Sequence, residues 1–189
     1  MDNHNLKFES DRISIEENAD QTKISISGKI PATQFAMLSF WLLAWTLSGL
    51  YVITQLFTEL PQETKTFMIV WLVFWVYFEY KIGSAWLWRK FGKEVLLIQK
   101  GKSQLRFEVA YGGKGEEFET ESIRDLQLLE NKKGVFIKNY FSSFWVIGGE
   151  TIGFSINGKI KMFGRQLPEK DAEKLMKLIQ TKLRRFGKK

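Results

Sequence analysis

Two long runs of apolar residues dominate the pattern of the sequence. Residues 34–57 read QFAMLSFWLLAWTLSGLYVITQLF, and no charged side chain occurs anywhere in residues 30–58. Residues 67–88 read FMIVWLVFWVYFEYKIGSAWLW, in which Glu79 and Lys81 are the only charged residues. A bilayer core of about 30 Å is crossed by about 20 apolar residues in a helix. Each run therefore predicts a membrane-spanning helix.

Charge is distributed unequally on the two sides of these runs. The intervening segment, TELPQETKT, is too short to cross a membrane again, and its two glutamates and one lysine give a net charge of −1. Residues 89–189 carry 22 Lys and Arg against 12 Asp and Glu. Because positively charged flanks stay in the cytoplasm, we expect an antiparallel hairpin with both chain termini on the cytoplasmic side.

After the second run, short alternating segments predict a series of strands. They are residues 94–99, 104–111, 117–119, 123–129, 135–138, 151–156 and 159–163. The dipeptide Asn157-Gly158 favours positive φ and predicts a two-residue type I′ hairpin. The glycine-rich segment at 112–115 lacks the spacing of a phosphate-binding loop, so we interpret it as a turn.

The two ends of the chain have patterns of their own. Past Pro168, apolar residues recur at spacings of three and four, which predicts an amphipathic C-terminal helix. Within residues 1–33, alternating isoleucines predict a β-hairpin, which should pack on or extend the following sheet because a lone hairpin is marginal in water. The expected organisation is an N-terminal segment at 1–33, a transmembrane hairpin at 34–90 and a β-rich domain at 91–189.

Scattered residues over positions 67–180 resemble one family. They are Glu79, Trp88, the segment Phe91-Gly92-Lys93-Glu94-Val95, Ile123, Gly149, Ile152, Phe154, Phe163, Gly164 and Leu167. On these residues the chain resembles small bacterial inner-membrane proteins with two transmembrane helices and a pleckstrin-homology-like (PH-like) domain. The resemblance implies a membrane α+β fold, in which a PH-like β-barrel or bent sheet of about seven strands carries a C-terminal capping helix. It also implies a role in protein contacts or assembly and brings no catalytic residues.

The composition excludes several classes of chemistry. The 189 residues include no cysteine and a single histidine, His4. Disulfides and thiolate nucleophiles are therefore impossible, and histidine-dependent triads or metal sites are not expected. We predict a protein that is not an enzyme and that uses no metal or cofactor. The net charge of +7 comes without a recognised binding motif, so we expect no nucleic-acid partner.

One carboxylate inside the second apolar run is the sharpest candidate site. On a helix that begins near Phe67, Glu79 lies about 18 Å along the axis, within the hydrocarbon layer. An ionised carboxylate there costs roughly 2.5–3.5 kcal/mol, so we expect Glu79 to be protonated, paired or beside a wet cavity. Three interpretations follow: a hydrogen bond to Thr46, to Ser48 or to a donor at the lipid interface, a contact with a basic or polar group of a partner subunit, or a proton relay.

Two further groups of residues are candidate contacts. In the segment 139–148 (NYFSSFWVIG) the ring residues are Tyr140, Phe141, Phe144 and Trp145. Their clustering predicts a partner site or a contact with the inner leaflet, or else a further core strand. The basic residues after the second run are Arg89, Lys90 and Lys93. They are predicted either to bind anionic lipid, at about 1 kcal/mol each, or only to set the orientation of the hairpin.

These features predict a non-catalytic bacterial inner-membrane protein that acts as an interaction or accessory subunit of a larger membrane complex. Its expected partners are membrane lipids and either another membrane protein or further copies of itself. Two alternatives stay open. A small oligomeric transporter or proton-conducting protein would be built around Glu79, and an anionic-lipid sensor would use the basic residues and the β-rich domain.

Overall fold

The structure, a computed structural model, describes residues 8, 10–110, 112–129, 143 and 145–187. Two strands come first and two long helices follow. Six more strands and a last helix complete the described chain. The helices are α1 (Ala32–Gln55), α2 (Gln62–Phe91) and α3 (Glu169–Phe186). The strands are β1 (Ile13–Glu17), β2 (Gln21–Ser27), β3 (Lys93–Gln99), β4 (Lys102–Val109), β5 (Gly112–Glu119), β6 (Ile123–Leu128), β7 (Glu150–Ile156) and β8 (Lys159–Arg165).

Each helix begins directly after a proline. Pro31, Pro61 and Pro168 are the three prolines of the chain, and all have extended ψ values just before α1, α2 and α3. Proline suits this place because its missing N–H would find no partner in the first turn of a helix. The two long helices are confirmed, and both are long and apolar enough to cross a membrane by length and composition. Because α2 begins next to Pro61, the connection is shorter than predicted.

The strands form two antiparallel sheets. The first has the order β1-β2-β3-β4-β5 and the second the order β6-β7-β8. The N-terminal hairpin extends the following sheet, as predicted, because β2 pairs with β3 with Ile24 opposite Leu96. Among the described residues the two sheets do not pair with each other. In place of a closed barrel, the structure therefore shows two open sheets.

The predicted turn at residues 112–115 is wrong, because these residues lie in β5. Gly115 pairs with Arg106 of β4, and an added Cβ at Gly115 would stand 2.9 Å from the Arg106 side chain. The chain reverses earlier, near Ala110, whose φ is +52°. The glycines therefore let β5 run beneath the long side chains of β4, which the spacing of the glycines alone does not show.

The other strand predictions have mixed outcomes. Asn157 and Gly158 have φ values of +47° and +78°, which confirms the type I′ turn between β7 and β8. The predicted strand at 135–138 lies outside the described residues. The expected seven strands after the helices compare with six in the part of the chain that the structure describes.

One hydrophobic core joins the two sheets and α3. Ile24 and Leu96 come from the first sheet, Ile152 and Phe163 from the second, and Leu175 from α3; all five are fully buried. The spacing of three and four residues along α3 places its apolar side chains on this one face. The core therefore fixes both sheets and the helix in one unit, and the N-terminal hairpin is part of it.

Candidate functional site

The two long helices pack through tryptophans and one glycine. Trp75 Nε1 donates a hydrogen bond to the carbonyl of Trp45 at 2.9 Å, and the rings of Trp45 and Trp71 have centroids 5.8 Å apart. The Trp75 ring covers Gly49, where an added Cβ would stand 1.9 Å from Trp75 Cε2. Only a residue without a side chain allows the helices to approach this closely.

Glu79 lies within this hairpin and contacts α1. Its Oε1 is 2.7 Å from Thr46 Oγ1, and its Oε2 is buried and accepts no hydrogen bond from the described residues. Ser48, the other hydroxyl that the sequence offered, donates to the carbonyl of Trp45 in its own helix. The structure thus brings Glu79 together with Thr46 and not with Ser48.

The Thr46 hydroxyl has two acceptor neighbours. Besides the Glu79 carboxyl, the carbonyl of Leu42 lies 2.8 Å from Thr46 Oγ1. A hydroxyl carries one proton, so it can donate one full hydrogen bond at a time. The hydroxyl is therefore shared between its own helix and Glu79, and the contact with Glu79 links α1 to α2.

Of the four predicted ring residues, the structure describes Trp145. It lies in a turn and is half-buried. Its ring meets that of Trp41 in α1 edge-on, with centroids 5.3 Å apart, and Trp41 in turn stacks on Trp45 at 5.2 Å. Tyr140, Phe141 and Phe144 lie outside the described residues. The turn with Trp145 is therefore packed against the helical hairpin.

The three predicted cations occupy different surroundings. Arg89 is only 3% exposed, and its Nη2 donates to Gln166 Oε1 at 2.7 Å and to the carbonyl of Val146 at 3.0 Å. It therefore faces inward and ties α2 to the turn with Trp145 and to the residue after β8. Lys90 and Lys93 are exposed.

The end of α2 fits closely against β2 and β3. An added Cβ at Gly28 or at Gly92 would stand 2.4 Å from the carbonyl oxygen of Trp88. Gly28 N also donates a hydrogen bond to the carbonyl of Gly92 at 2.8 Å, while Trp88 itself is buried. Glycine is needed at both positions because the last turn of α2 passes so near the backbone.

Next to Trp88, charged side chains join the two sheets. Glu94 of β3 is fully buried, and its Oε2 accepts from the backbone N–H of Gly164 at 2.7 Å and of Arg165 at 3.2 Å. Arg165 Nε lies 3.2 Å from Glu94 Oε1 and 3.0 Å from Glu150 Oε1. Its hydrogen points to Glu150, so the contact with Glu94 is an ion pair without a hydrogen bond. The Arg165 guanidinium also covers the Trp88 ring at 4.7 Å.

Burial governs the electrostatics of this region. Loss of solvation raises the pKa of Glu94 to about 7, although Arg165 and the two backbone amides oppose the change. Burial likewise lowers the pKa of Arg12, against the opposing charge of Glu94. Arg12 donates to the carbonyls of Ser27 and Gln166 and so links β2 to the end of β8. We call Arg12, Trp88, Arg89, Glu94 and Arg165 the junction cluster.

Most of the junction cluster could not be predicted from the sequence. For Glu94 a signal existed, because strand alternation places it on the same face as Leu96 and Ile98, which are buried. For Arg12 and Arg165 there was no such signal, since their partners come from distant segments of the chain.

Comparison with known proteins adds no family. No protein-family model matches the chain, and no curated protein matches it. Within the described ranges, no three His, Cys, Asp or Glu side chains are grouped so that they could hold a metal ion. In the junction cluster, Arg89 and Glu94 bond to backbone groups and to other side chains, and these contacts can hold the helices and the sheets in a fixed relation.

Proposed function

We propose that the chain is an integral membrane protein of the bacterial inner membrane that acts as a non-catalytic interaction or accessory subunit. Its helical hairpin crosses the bilayer, and its PH-like domain of two sheets and a capping helix lies at the cytoplasmic face. The hairpin and the domain together form the surface that a partner subunit, or another copy of the chain, recognises.

The exposure of the helical hairpin carries this proposal. In the most apolar windows of α1 and α2, 11% and 6% of the residues are buried. Phe40 and Phe67, for example, are 75% and 70% exposed. The core helices of a soluble protein are mostly buried, whereas helices in a bilayer expose apolar side chains to lipid on most of their surface. Contact with lipid therefore accounts for the large exposed apolar surface of α1 and α2, which would be unfavourable in water.

The flanks of the hairpin support the orientation. Lys90 Nζ lies 4.7 Å over the Trp86 ring and 5.1 Å over the Phe91 ring. Aromatic rings with a lysine alongside are typical of the membrane–water boundary, where the ring stays in the headgroup layer and the ammonium reaches water. The connection at the other end has a net negative charge. Both features favour sheets on the cytoplasmic side.

The arrangement of the sheets supports the PH-like assignment. Six strands after the hairpin divide between two antiparallel sheets, and α3 packs on the core that they enclose. This is the order of elements that the family resemblance implies. The β1-β2 hairpin, which joins the first sheet beside β3, is an addition to that pattern.

The contacts of Glu79 favour interaction over conduction. A proton path needs a carboxyl group that water or a second titratable group can reach. Instead, Glu79 Oε1 contacts Thr46, and its Oε2 is buried inside the hairpin. We therefore assign Glu79 to the packing of α1 on α2, with the transporter as the less supported alternative.

Cross-linking in native membranes tests the proposed function. The full-length chain is cross-linked in membranes, extracted in a mild detergent and analysed by mass spectrometry. We expect a stoichiometric partner or self-association through the hairpin or the sheets. A monodisperse monomer without cross-links would contradict an accessory role. Proton flux in liposomes that is lost in Glu79→Gln would favour the transporter instead.

A further inference from the structure

Exposed apolar side chains outside the helical hairpin are confined to one strand. Among the described residues, every other large exposed hydrophobic side chain lies in α1, in α2 or in their connection. The exceptions are Ile160, which is 67% exposed, and Met162, which is 48% exposed. They are two residues apart in β8 and so lie on the same face of the strand. An apolar pair on an edge strand is typical of a contact surface.

The same strand borders an open groove between the two sheets. The groove has a volume of 380 Å³ and lies between β8 and the β4-β5 hairpin, with Leu105, Phe107, Lys114, Ile160 and Met162 in its lining. Both β5 and β8 are edge strands, and no described strand pairs with their outer sides. Each edge therefore presents backbone N–H and C=O groups that a further strand can pair with.

The groove is narrow and carries an unmatched positive charge. Lys161 of β8 reaches across it to an ion pair with Glu116 of β5, so two side chains are enough to span the gap. Arg165 is paired with Glu94 and Glu150. Lys114 has no ion-pair partner among the described residues. Since Lys114 and Glu116 are two residues apart in β5, Lys114 lies on the face that meets Lys161.

We propose that the β8 edge and this groove form a docking site for an extended segment of a partner protein. The segment adds a strand to β8, covers Ile160 and Met162 with apolar side chains on one face, and places an acidic side chain near Lys114 on the other. Alternation along a single strand supplies both faces at once. The inference rests on the proposed interaction function and names the chemistry of the partner.

The geometry favours an extended peptide over the other occupants. A lipid acyl chain in the groove would remove water from several charged side chains, including Lys114 and Glu150, without offering them a partner. A second copy that pairs β8 with β8 would cover Ile160 and Met162 but would bring no negative charge to Lys114. An extended acidic segment can cover the apolar pair, form hydrogen bonds with the open edge of β8 and place a negative charge near Lys114.

Peptide binding to the full-length chain in nanodiscs tests the proposal. The probe is a fluorescent peptide of alternating valine and threonine with one central glutamate, and binding is followed by anisotropy. We expect saturable binding that weakens about tenfold in the double variant Ile160→Thr, Met162→Thr. In Lys114→Glu the same peptide should bind at least about fivefold more weakly, and a peptide with lysine in place of glutamate should bind better. A peptide with proline inserted for threonine should fail, because it cannot complete the strand pairing.

A variant on the opposite edge of the same sheet provides the matched control. Arg124→Thr in β6 changes an exposed edge residue and should leave peptide binding unchanged. The substituted side chains at 160 and 162 are exposed, so the variants are expected to fold, which circular dichroism verifies. Absence of binding, or binding that ignores the β8 and Lys114 variants, overturns the docking site.

Other outcomes separate this inference from the proposed function. Dimers that cross-link through position 160 and resist excess peptide would identify a second copy as the occupant and overturn the inference. Lipid that co-purifies with the wild type and is lost in the β8 variant would do the same. If cross-linking in membranes finds a partner but that partner does not contact β8, the docking site is wrong and the interaction function stands.

Discussion

Glu94 and Glu79 each place a carboxyl group among apolar side chains, and donors from another segment of the chain meet each of them. Glu94 receives two backbone N–H groups from the end of β8, whereas Glu79 contacts one hydroxyl of α1. Removing a partner from a buried polar group costs about 1–3 kcal/mol. Glu94 therefore stabilises the contact of β3 with the end of β8, and Glu79 stabilises the contact of α2 with α1. Substitution of either residue, or of its partner, tests that contribution.

Protonation of Glu94 couples the stability of the fold to pH. Burial raises its pKa to about 7, so the folded chain keeps a proton that the unfolded chain loses near pH 4–5. Between these values the folded state binds more protons, and stability rises as the pH falls. We expect the Tm of the purified protein to increase as the pH falls from about 7.5 to about 5, because the protonation of Glu94 adds about 2 kcal/mol to the free energy of unfolding over that range.

Glu94→Gln separates this effect from other titrations. The amide oxygen can still accept from Gly164 N, but the side chain no longer takes up a proton. We expect the dependence of Tm on pH to be flatter in Glu94→Gln than in the wild type over the same range. Equal slopes in the two proteins would show that the Glu94 carboxyl is already ionised throughout, in its ion pair with Arg165.

The contact between Thr46 and Glu79 is measured by a double-mutant cycle. Thr46→Val removes the hydroxyl at nearly constant volume, and Glu79→Leu removes the carboxyl. We expect a coupling of about 0.5–1.5 kcal/mol in thermal unfolding of the detergent-solubilised chain. Glu79→Gln should keep the coupling, because its amide oxygen can still accept the hydrogen bond from Thr46 Oγ1.

Thr54 provides the control for this cycle. Its hydroxyl donates to the carbonyl of Tyr51 in its own helix at 2.7 Å and has no described contact with α2. Thr54→Val should therefore show no coupling to Glu79→Leu. Equal coupling energies at Thr46 and Thr54 would mean that any loss of a hydroxyl from α1 has this effect, and would contradict a specific contact between Thr46 and Glu79.

At the scale of whole helices, the pairing of α1 with α2 depends on the close approach at Gly49. A Cβ there would overlap the Trp75 ring, so Gly49→Ala should push the helices apart and cost about 1–3 kcal/mol. Gly83→Ala is the matched control, because an added Cβ at Gly83 meets nothing within 4 Å. We expect a lowered Tm in the first variant and an unchanged or raised Tm in the second.

The elements that could be predicted from the sequence are those whose pattern is local. The helices at 34–57 and 67–88 follow from apolar runs, and the Asn157-Gly158 turn follows from two adjacent residues that tolerate positive φ. The course of β5 could not be predicted, because a run of glycines is typical of a turn. Only the structure shows that side chains of β4 cover these glycines and that they lie in a strand.

The contacts between elements could be predicted from the sequence only in part. Glu79 and Thr46 belong to a short list of polar residues in two apolar runs, so their pairing could be proposed from sequence. Arg12 and Glu94 are more than 80 positions apart in the chain, and each also depends on residues at the end of β8. Strand alternation could show that Glu94 faces inward, but no local pattern shows which groups it meets there.

At the scale of the whole molecule, the junction cluster determines how the sheets sit on the hairpin. Trp88 is enclosed between Gly28, Gly92 and the Arg165 guanidinium, and α2 continues into β3 through Gly92 alone. The N-terminal hairpin is joined to the same sheet by β2. The chain segments that precede α1 and follow α2 therefore lie at the same end of the helical hairpin.

That arrangement predicts opposite accessibility for the two ends of the hairpin. Because the chain has no cysteine, one introduced cysteine reports one position. Thr58→Cys lies in the connection between α1 and α2, and Thr181→Cys lies on the exposed face of α3. In spheroplasts, a membrane-impermeant maleimide should label Thr58→Cys and should label Thr181→Cys only after lysis.

Membrane insertion and orientation are tested separately by this pair. If both cysteines react fully before lysis while the membrane is intact, the hairpin does not cross the bilayer, and the exposed apolar surface of α1 and α2 needs another cover, such as further copies of the chain. If Thr181→Cys alone reacts before lysis, the hairpin crosses in the opposite direction. In that case the basic residues that follow α2, Lys90 and Lys93, do not set its orientation, contrary to the charge rule that predicts it.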